Sequence, residues 1–271
     1  MIKNIIFTGG GLKGWAYIGT LRALDEYIDF KQIEQVIGVS VGSLFGLCYI
    51  LGITWDFLLE YIMDLNIKEY LDINLDTLLT NQSFLEGIKF TEILKKIIST
   101  KIPPDITFKE LGYYTNVLFT VNALNVTKQK LEYFNSKLTP DIKVIDAIRA
   151  SCNLPFFFPP YKIGNCFYYD GGICNNCPID LVEEVFTIAF DISHESDTLG
   201  SKLIDLLYCL IHMTNELHYK KNADNIYKIL DESFKDEMAN VHQSRDTIFT
   251  IYMNGYINSK ELLFTNHVAI K

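Results

Sequence analysis

Two short apolar runs, each ending in glycine and each followed by a helical pattern, occupy the first fifty residues. The first is "NIIFT", residues 4 to 8, which stops at Gly9, Gly10 and Gly11. Behind it, Trp15, Ile18, Leu21 and Leu24 recur at the spacing of one helix face. The second is "QVIGV", residues 35 to 39, followed by the helical stretch "GSLFGLCYILG". Strand, turn and helix repeated in this way predict an α/β fold with a mainly parallel central sheet. The uncharged stretch from Val36 to Ile53 approaches the length of a membrane span. Its four glycines and two serines fit a strand, a tight turn and a buried helix better.

The rest of the chain reads as follows. Residues 54 to 100 are mainly helical and amphipathic, with turns near "DINLD" and "TNQSF". "IPPDITFKEL" is a connector, since its prolines break a helix. "NVLFTVNALN" and "KLEYFNS" form a strand pair. "TPDIKVIDAIRAS" is a helix capped at Thr139, with Pro140 and Asp141 in its first turn. "GNCFYYD" and "VFTIAFDIS" are strands, residues 202–230 a long amphipathic helix, and "TIFTIYM", residues 247–253, a last strand. With no repeat, low-complexity block or linker, the expectation is one domain over 1–271.

Charge and cysteines narrow the function. A net charge of −9 argues against nucleic acid, which needs clustered Lys and Arg. It also argues against an electrostatic grip on anionic lipid, so any membrane contact would be apolar and interfacial. The opening "MIKNIIFTGGG" holds an apolar run too short for a secretory signal core. The expected location is cytoplasmic, peripheral to membranes at most. Cys152, Cys166, Cys174 and Cys177 lie close together, and "CNNC" could be half a zinc site or a redox motif. No second C-x-x-C accompanies it, so reduced thiols and no metal are expected.

Gly9, Gly11 and Gly14 fit G-x-G-x-x-G, a dinucleotide-binding fingerprint. That reading requires an acid at the end of the second strand to hold the ribose. The second strand runs instead into Ser40, inside "GVSVG", which is G-x-S-x-G with Gly38 and Gly42. Such a serine sits on a sharp strand-to-helix turn with its hydroxyl projecting. The glycine loop then serves a different chemistry, in which backbone N–H groups of Gly10, Gly11 and their neighbours stabilise an oxyanion. Lys13 either adds positive charge there or is an ordinary exposed lysine.

A serine nucleophile needs a proton acceptor. Ser40, Asp170 and His218 stand in the chain order of an α/β-hydrolase triad. That fold, however, places its serine after several strands, and one strand precedes Ser40. His212 and His218 fall in a helical pattern; His194, His242 and His267 complete the set. Asp170 is the better base, at the end of the strand "NCFYYD" and followed by Gly171 and Gly172. Burial raises a carboxyl pKa and makes it a stronger base. Alone, D-G-G reads as a turn; three motifs in this order favour the base.

With "GGGLKG" at 9–14, "GVSVG" at 38–42 and "DGG" at 170–172, the chain resembles the patatin-like phospholipase family. "AIRASCNLPFFFPP" at 147–160 and the N-x-P continuation in "DGGICNNCPI" add to the likeness, which covers about residues 3 to 192. The resemblance implies a three-layer α/β/α sandwich, with residues 193–271 completing the domain. It implies lipid acyl hydrolysis, mostly of the phospholipase A type, on membrane lipids or phospholipid acyl chains, without cofactor or metal. It assigns Ser40 as nucleophile, Asp170 as base in a dyad without histidine, and Gly9, Gly10, Gly11, Lys13 and Gly14 to the oxyanion hole. Cys174 and Cys177 flank the Asn pair where apolar residues are commoner in the family.

"LPFFFPPY", residues 154–161, would line an acyl channel, touch a membrane interface or pack in the core. Residues 54–65 and 90–99 would form a lid or pack on the sheet. Two rivals stand beside the hydrolase: a lipid-binding or scaffold protein with the same fold and a dead site, and a nucleotide-binding oxidoreductase.

Overall fold

The computed structural model describes residues 1–65, 83–183, 187–192, 214, 226–231, 233–234 and 243–265. Its centre is a mixed, mainly parallel sheet. Strands β1 (Asn4–Phe7) and β2 (Gln35–Gly38) pair in parallel, with Ile5 opposite Val36 and Phe7 opposite Gly38. On the far side of β2 lies β3 (Leu118–Asn125), parallel again. On the far side of β1 lie β7 (Thr187–Asp191) and then β8 (Ile226–Lys228), both parallel. The antiparallel part surrounds β3. It pairs with β4 (Lys130–Phe134) and with β6 (Cys166–Asp170), and β6 pairs with β5 (Tyr161–Ile163).

Because a crossover sheet is covered on both faces, its strands are apolar at successive positions rather than alternate ones. Ile5 and Phe7 face the main core, where Phe7 meets the Tyr17 ring edge-on at 5.1 Å. Ile6, Ile37 and Ala189 point the other way and pack with Cys177 and Ile179. The main face carries α1 (Ala16–Tyr27) and α2 (Val41–Ile50), the two helices expected after the first two strands. The uncharged stretch at 36–53 is thus β2, the turn at Ser40 and the buried α2. No helix among the described residues is long and apolar enough to cross a membrane.

Helices α3 (Trp55–Asp64) and α4 (Ile88–Ile98) bury Leu58 and Ile62, and Leu94, Ile97 and Ile98. Most of their apolar residues therefore serve packing. The segment Leu154–Pro159 is half-buried throughout. Phe158 stacks on Phe90 at 5.9 Å, and the carbonyls of Phe156 and Phe157 accept the amides of Phe84 and Leu85.

Three expectations are corrected. Residues 247–253 are not a strand but part of α7 (Arg245–Thr265). The β-branched and aromatic residues of "TIFTIYM" favour a strand, yet Ile248, Ile251, Tyr252, Gly255, Ser259 and Leu263 form one buried helical stripe. That stripe lies along α1. Thr20 and Ser259 share a 2.9 Å hydrogen bond, and a Cβ on Gly19 or Gly255 would stand 2.2 Å from the other helix's backbone. The helix expected over 202–230 is overturned at its end, where 226–228 are β8. Most of that segment lies outside the described residues.

The third correction concerns Thr139. Helix α6 (Val144–Ser151) begins five residues later, and Thr139 closes a turn with Asn135 instead. The carbonyls of Pro140 and Ile142 accept the first free amides of α5 (Phe108–Thr115). Holding them there keeps the segment out of a helix. Helix α5 itself starts inside the stretch read as a connector, on a capping box between Thr107 and Glu110.

Candidate active site

Ser40 sits between β2 and α2 with φ 52° and ψ −131°, a conformation that costs a non-glycine residue about 1–3 kcal/mol. The surroundings over-determine it. Its N–H donates to Ser151 Oγ at 2.8 Å. Its carbonyl accepts the Ser43 amide at 2.9 Å and the Ser43 hydroxyl at 2.5 Å. The turn also requires close approach: a Cβ on Gly42 would stand 2.3 Å from the Phe7 carbonyl oxygen, and one on Gly38 would stand 2.4 Å from Ser43 Cα. Both flanking glycines of G-x-S-x-G are thus demanded by packing.

Asp170 ends β6, in register with Ala123 of β3, and its N–H donates to the Asn153 carbonyl at 3.0 Å. The Ser40 hydroxyl donates to Asp170 Oδ2 at 2.6 Å, and the Gly172 amide donates to Oδ1 at 2.8 Å. The side chain is buried, at 4% exposure. Burial pushes its pKa up to about 7, against the pull of the hydrogen bonds from Ser40 and Gly172. A carboxylate with that pKa is a far better acceptor for an alcohol's proton than one in water, and it titrates near neutrality.

The glycine loop follows β1, so it opens on the same sheet edge as Ser40. The space a Cβ on Gly9 would fill is taken by Ser40 Cβ and Asn176 Oδ1, at 2.8 and 2.7 Å. Thr8, at the loop's root, donates through its hydroxyl to Asp191 at 2.9 Å, and Tyr17 donates to the Thr8 carbonyl. Gly9's own N–H is engaged by Asn176 Oδ1 at 2.8 Å. Gly11 has φ 59°, which favours glycine, and begins a 3₁₀ turn over Gly11–Trp15. Gly14 abuts Val41 and Phe45 of α2. Lys13 is buried at 2% exposure, so it is not an ordinary exposed lysine.

The structure therefore brings Ser40, Asp170, Gly9, Gly171 and Gly172 together from three distant stretches of chain. Gly171 lies against Asn122, where a Cβ would stand 2.3 Å from its Oδ1. All five histidines lie outside the described residues. Cys177 is buried and Cys174 half-buried, and burial raises both thiols. Among the described residues no group of three or more His, Cys, Asp or Glu is arranged around a metal position.

Sequence reasoning gave no role to Ser151, Asn153 or Asn176, which hold Ser40, Asp170 and Gly9. Two of these lie in "RASCNLP" and one in the N-x-P continuation. A small polar residue inside an otherwise apolar, buried stretch was the available signal, because such a group must find a hydrogen bond.

A family model described as patatin-like phospholipase matches residues 5–182. A probable lipid hydrolase of Invertebrate iridescent virus 6 is 35% identical over 185 residues, 66% of this chain and 62% of that protein. An uncharacterized protein of Acanthamoeba polyphaga mimivirus is 28% identical over 287 residues, 97% of this chain and 90% of that protein. Among solved structures, VipD from Legionella pneumophila superposes with a TM-score of 0.64 at 16% identity, covering 97% of this chain and 67% of that one. At that identity the match speaks for the fold.

Proposed function

Because this chain belongs to the patatin-like phospholipase family, we propose that it is a phospholipase A-type acyl hydrolase, cleaving fatty-acyl esters of membrane lipids through Ser40 and Asp170. The reading rests on one contact, the 2.6 Å hydrogen bond from the Ser40 hydroxyl to a buried carboxylate.

Ser40 Oγ attacks the ester carbonyl carbon while its proton passes to Asp170 Oδ2. The carbonyl oxygen becomes an oxyanion, received by the N–H groups of Gly10 and Gly11. The tetrahedral intermediate collapses, the ester C–O bond breaks, and Asp170 gives its proton to the leaving alcohol. A water molecule then attacks the acyl-enzyme with Asp170 again taking a proton. Breaking the Ser40–acyl bond returns that proton to Ser40 and releases the fatty acid. Asp170 changes charge at every step, so a pKa near neutrality suits both directions of transfer. The Gly172 amide holds Oδ1 and leaves Oδ2 to Ser40.

The test is a fluorophosphonate probe with mass spectrometry, on wild type, Ser40→Ala and Asp170→Asn. Label on Ser40 of wild type that is slowed by orders of magnitude in Asp170→Asn is the expected result. An unlabelled, folded wild type would sink the hydrolase and favour a lipid-binding protein on the same fold. Equal labelling of Asp170→Asn would remove Asp170 as the base.

A further inference from the structure

We infer that Asn176 is a positioning residue of the proposed hydrolysis: its side-chain amide clasps Gly9 and thereby aims the Gly10 N–H at the oxyanion. The inference rests on the acyl-hydrolase reading above.

Asn176 Oδ1 accepts the Gly9 N–H at 2.8 Å, and Asn176 Nδ2 donates to the Gly9 carbonyl at 3.2 Å. One planar amide thus grips both backbone groups of one residue. The two bonds do different work. The first holds the Thr8–Gly9 peptide. The second holds the Gly9–Gly10 peptide, whose other polar group is the Gly10 N–H. A trans peptide is planar, and its C=O and N–H point in opposite directions. Holding the Gly9 carbonyl toward Asn176 therefore turns the Gly10 N–H away from Asn176. A flip of that plane would reverse a proposed oxyanion donor.

Such a flip is otherwise easy to make, because the plane lies between two glycines. The root of the loop is tied at Thr8 by Asp191 and Tyr17, before the Gly9–Gly10 plane. The Thr8 hydroxyl also lies 3.4 Å from the Gly9 carbonyl, but its one proton goes to Asp191 at 2.9 Å, so Asn176 is the stronger hold on that plane. Asn176 is itself fixed. It is buried at 7% exposure, and its Oδ1 lies 2.8 Å from where a Gly172 Cβ would stand. Gly172 donates its amide to Asp170. The loop from 171 to 176 therefore holds the base with one end and the glycine loop with the other, keeping both in register with Ser40.

The clasp needs a donor and an acceptor on one short side chain. Asparagine has both; aspartate has only the acceptor at neutral pH. Asn176→Ala and Asn176→Asp therefore separate the two bonds. The measurements are the rate of Ser40 labelling by a fluorophosphonate, kcat and KM on a short-chain p-nitrophenyl ester, and the pH profile. We expect both variants to lose about 10²-fold in labelling rate and kcat, the scale of one oxyanion donor. KM should change little, because the donor acts on the transition state. In Asn176→Ala the pH midpoint should remain that of wild type, because Asp170 keeps Gly172 and Ser40; in Asn176→Asp the added carboxylate lies near Asp170 and should raise the midpoint. A folded Asn176→Ala with a wild-type rate would overturn the inference, as would a rescue by Asn176→Asp or a moved midpoint in Asn176→Ala.

If wild-type Ser40 takes no label, the hydrolase reading falls, and the clasp is still judged. The residual dipolar coupling of the Gly10 N–H reports that peptide's orientation without turnover. It should differ between wild type and Asn176→Ala; an unchanged value would overturn the clasp.

Discussion

Replacing Asp170 by asparagine should stabilise the fold above neutral pH while it destroys activity. Folded, Asp170 takes its proton near pH 7; an ordinary aspartate does so near 3.8. Between those values the folded state holds more proton than the unfolded one, so unfolding free energy falls as pH rises through the window. The stabilisation is fully present below the lower pKa and gone above the higher. At about 1.4 kcal/mol per pH unit, the buried charge costs about 4 kcal/mol at pH 8. Asparagine never carries that charge. Its Oδ1 can still accept the Gly172 amide, and its NH2 group can donate toward Ser40 in place of the bond it loses. Urea unfolding of both proteins at pH steps from 4.5 to 9 reads the effect. The gap in unfolding free energy should widen in favour of Asp170→Asn by about 3 kcal/mol up to pH 7, then level off. A gap independent of pH would refute the buried, elevated carboxyl, and with it the basis for Asp170 as a base.

Two further outcomes concern the scaffold. Gly255→Ala sets a methyl group 2.2 Å from the Ala16 carbonyl oxygen, so α7 must move off α1. A loss of about 1–3 kcal/mol in urea unfolding is expected, and an unchanged midpoint would show that the helices do not cross this closely. Burial raises the Glu132 carboxyl, but hydrogen bonds from Asn125, Tyr168, Lys130 and Lys128 outweigh it and hold its pKa at about 2. The stabilisation from this lowered pKa is present above the ordinary value of 4.5 and is lost as pH falls toward 2. Glu132→Gln should therefore flatten the acid limb of the stability curve, and an acid limb as steep as wild type would assign that loss to other carboxylates.

Ser40, Asp170 and the glycine loop are legible in the amino-acid sequence because each rests on local chemistry. A strand that stops at glycine, a serine where the ribose acid should be, and an acid before two glycines are each readable within a few residues. So is the capping box at Thr107 and Glu110, which a search for helix starts within "IPPDITFKEL" would find. The parallel pairing of β1 and β2 follows from the repeated strand, turn and helix, because sequential strands usually neighbour.

What the chain alone does not reveal depends on partners far away in sequence. Residues 247–253 are rich in the β-branched and aromatic residues of a strand, and they are helical because α1 offers a groove lined by Gly19. Residues 140–143 carry helix signals, and they stay out of a helix because the Pro140 and Ile142 carbonyls receive the first amides of α5. Asn176 has no role in the sequence beyond its place in the N-x-P continuation until its amide is seen across 167 residues on Gly9. Local sequence determines which conformations a segment favours, by amounts of about 1 kcal/mol. Tertiary contacts that bury a helix face or satisfy a buried amide are worth as much or more, so they decide wherever the two disagree.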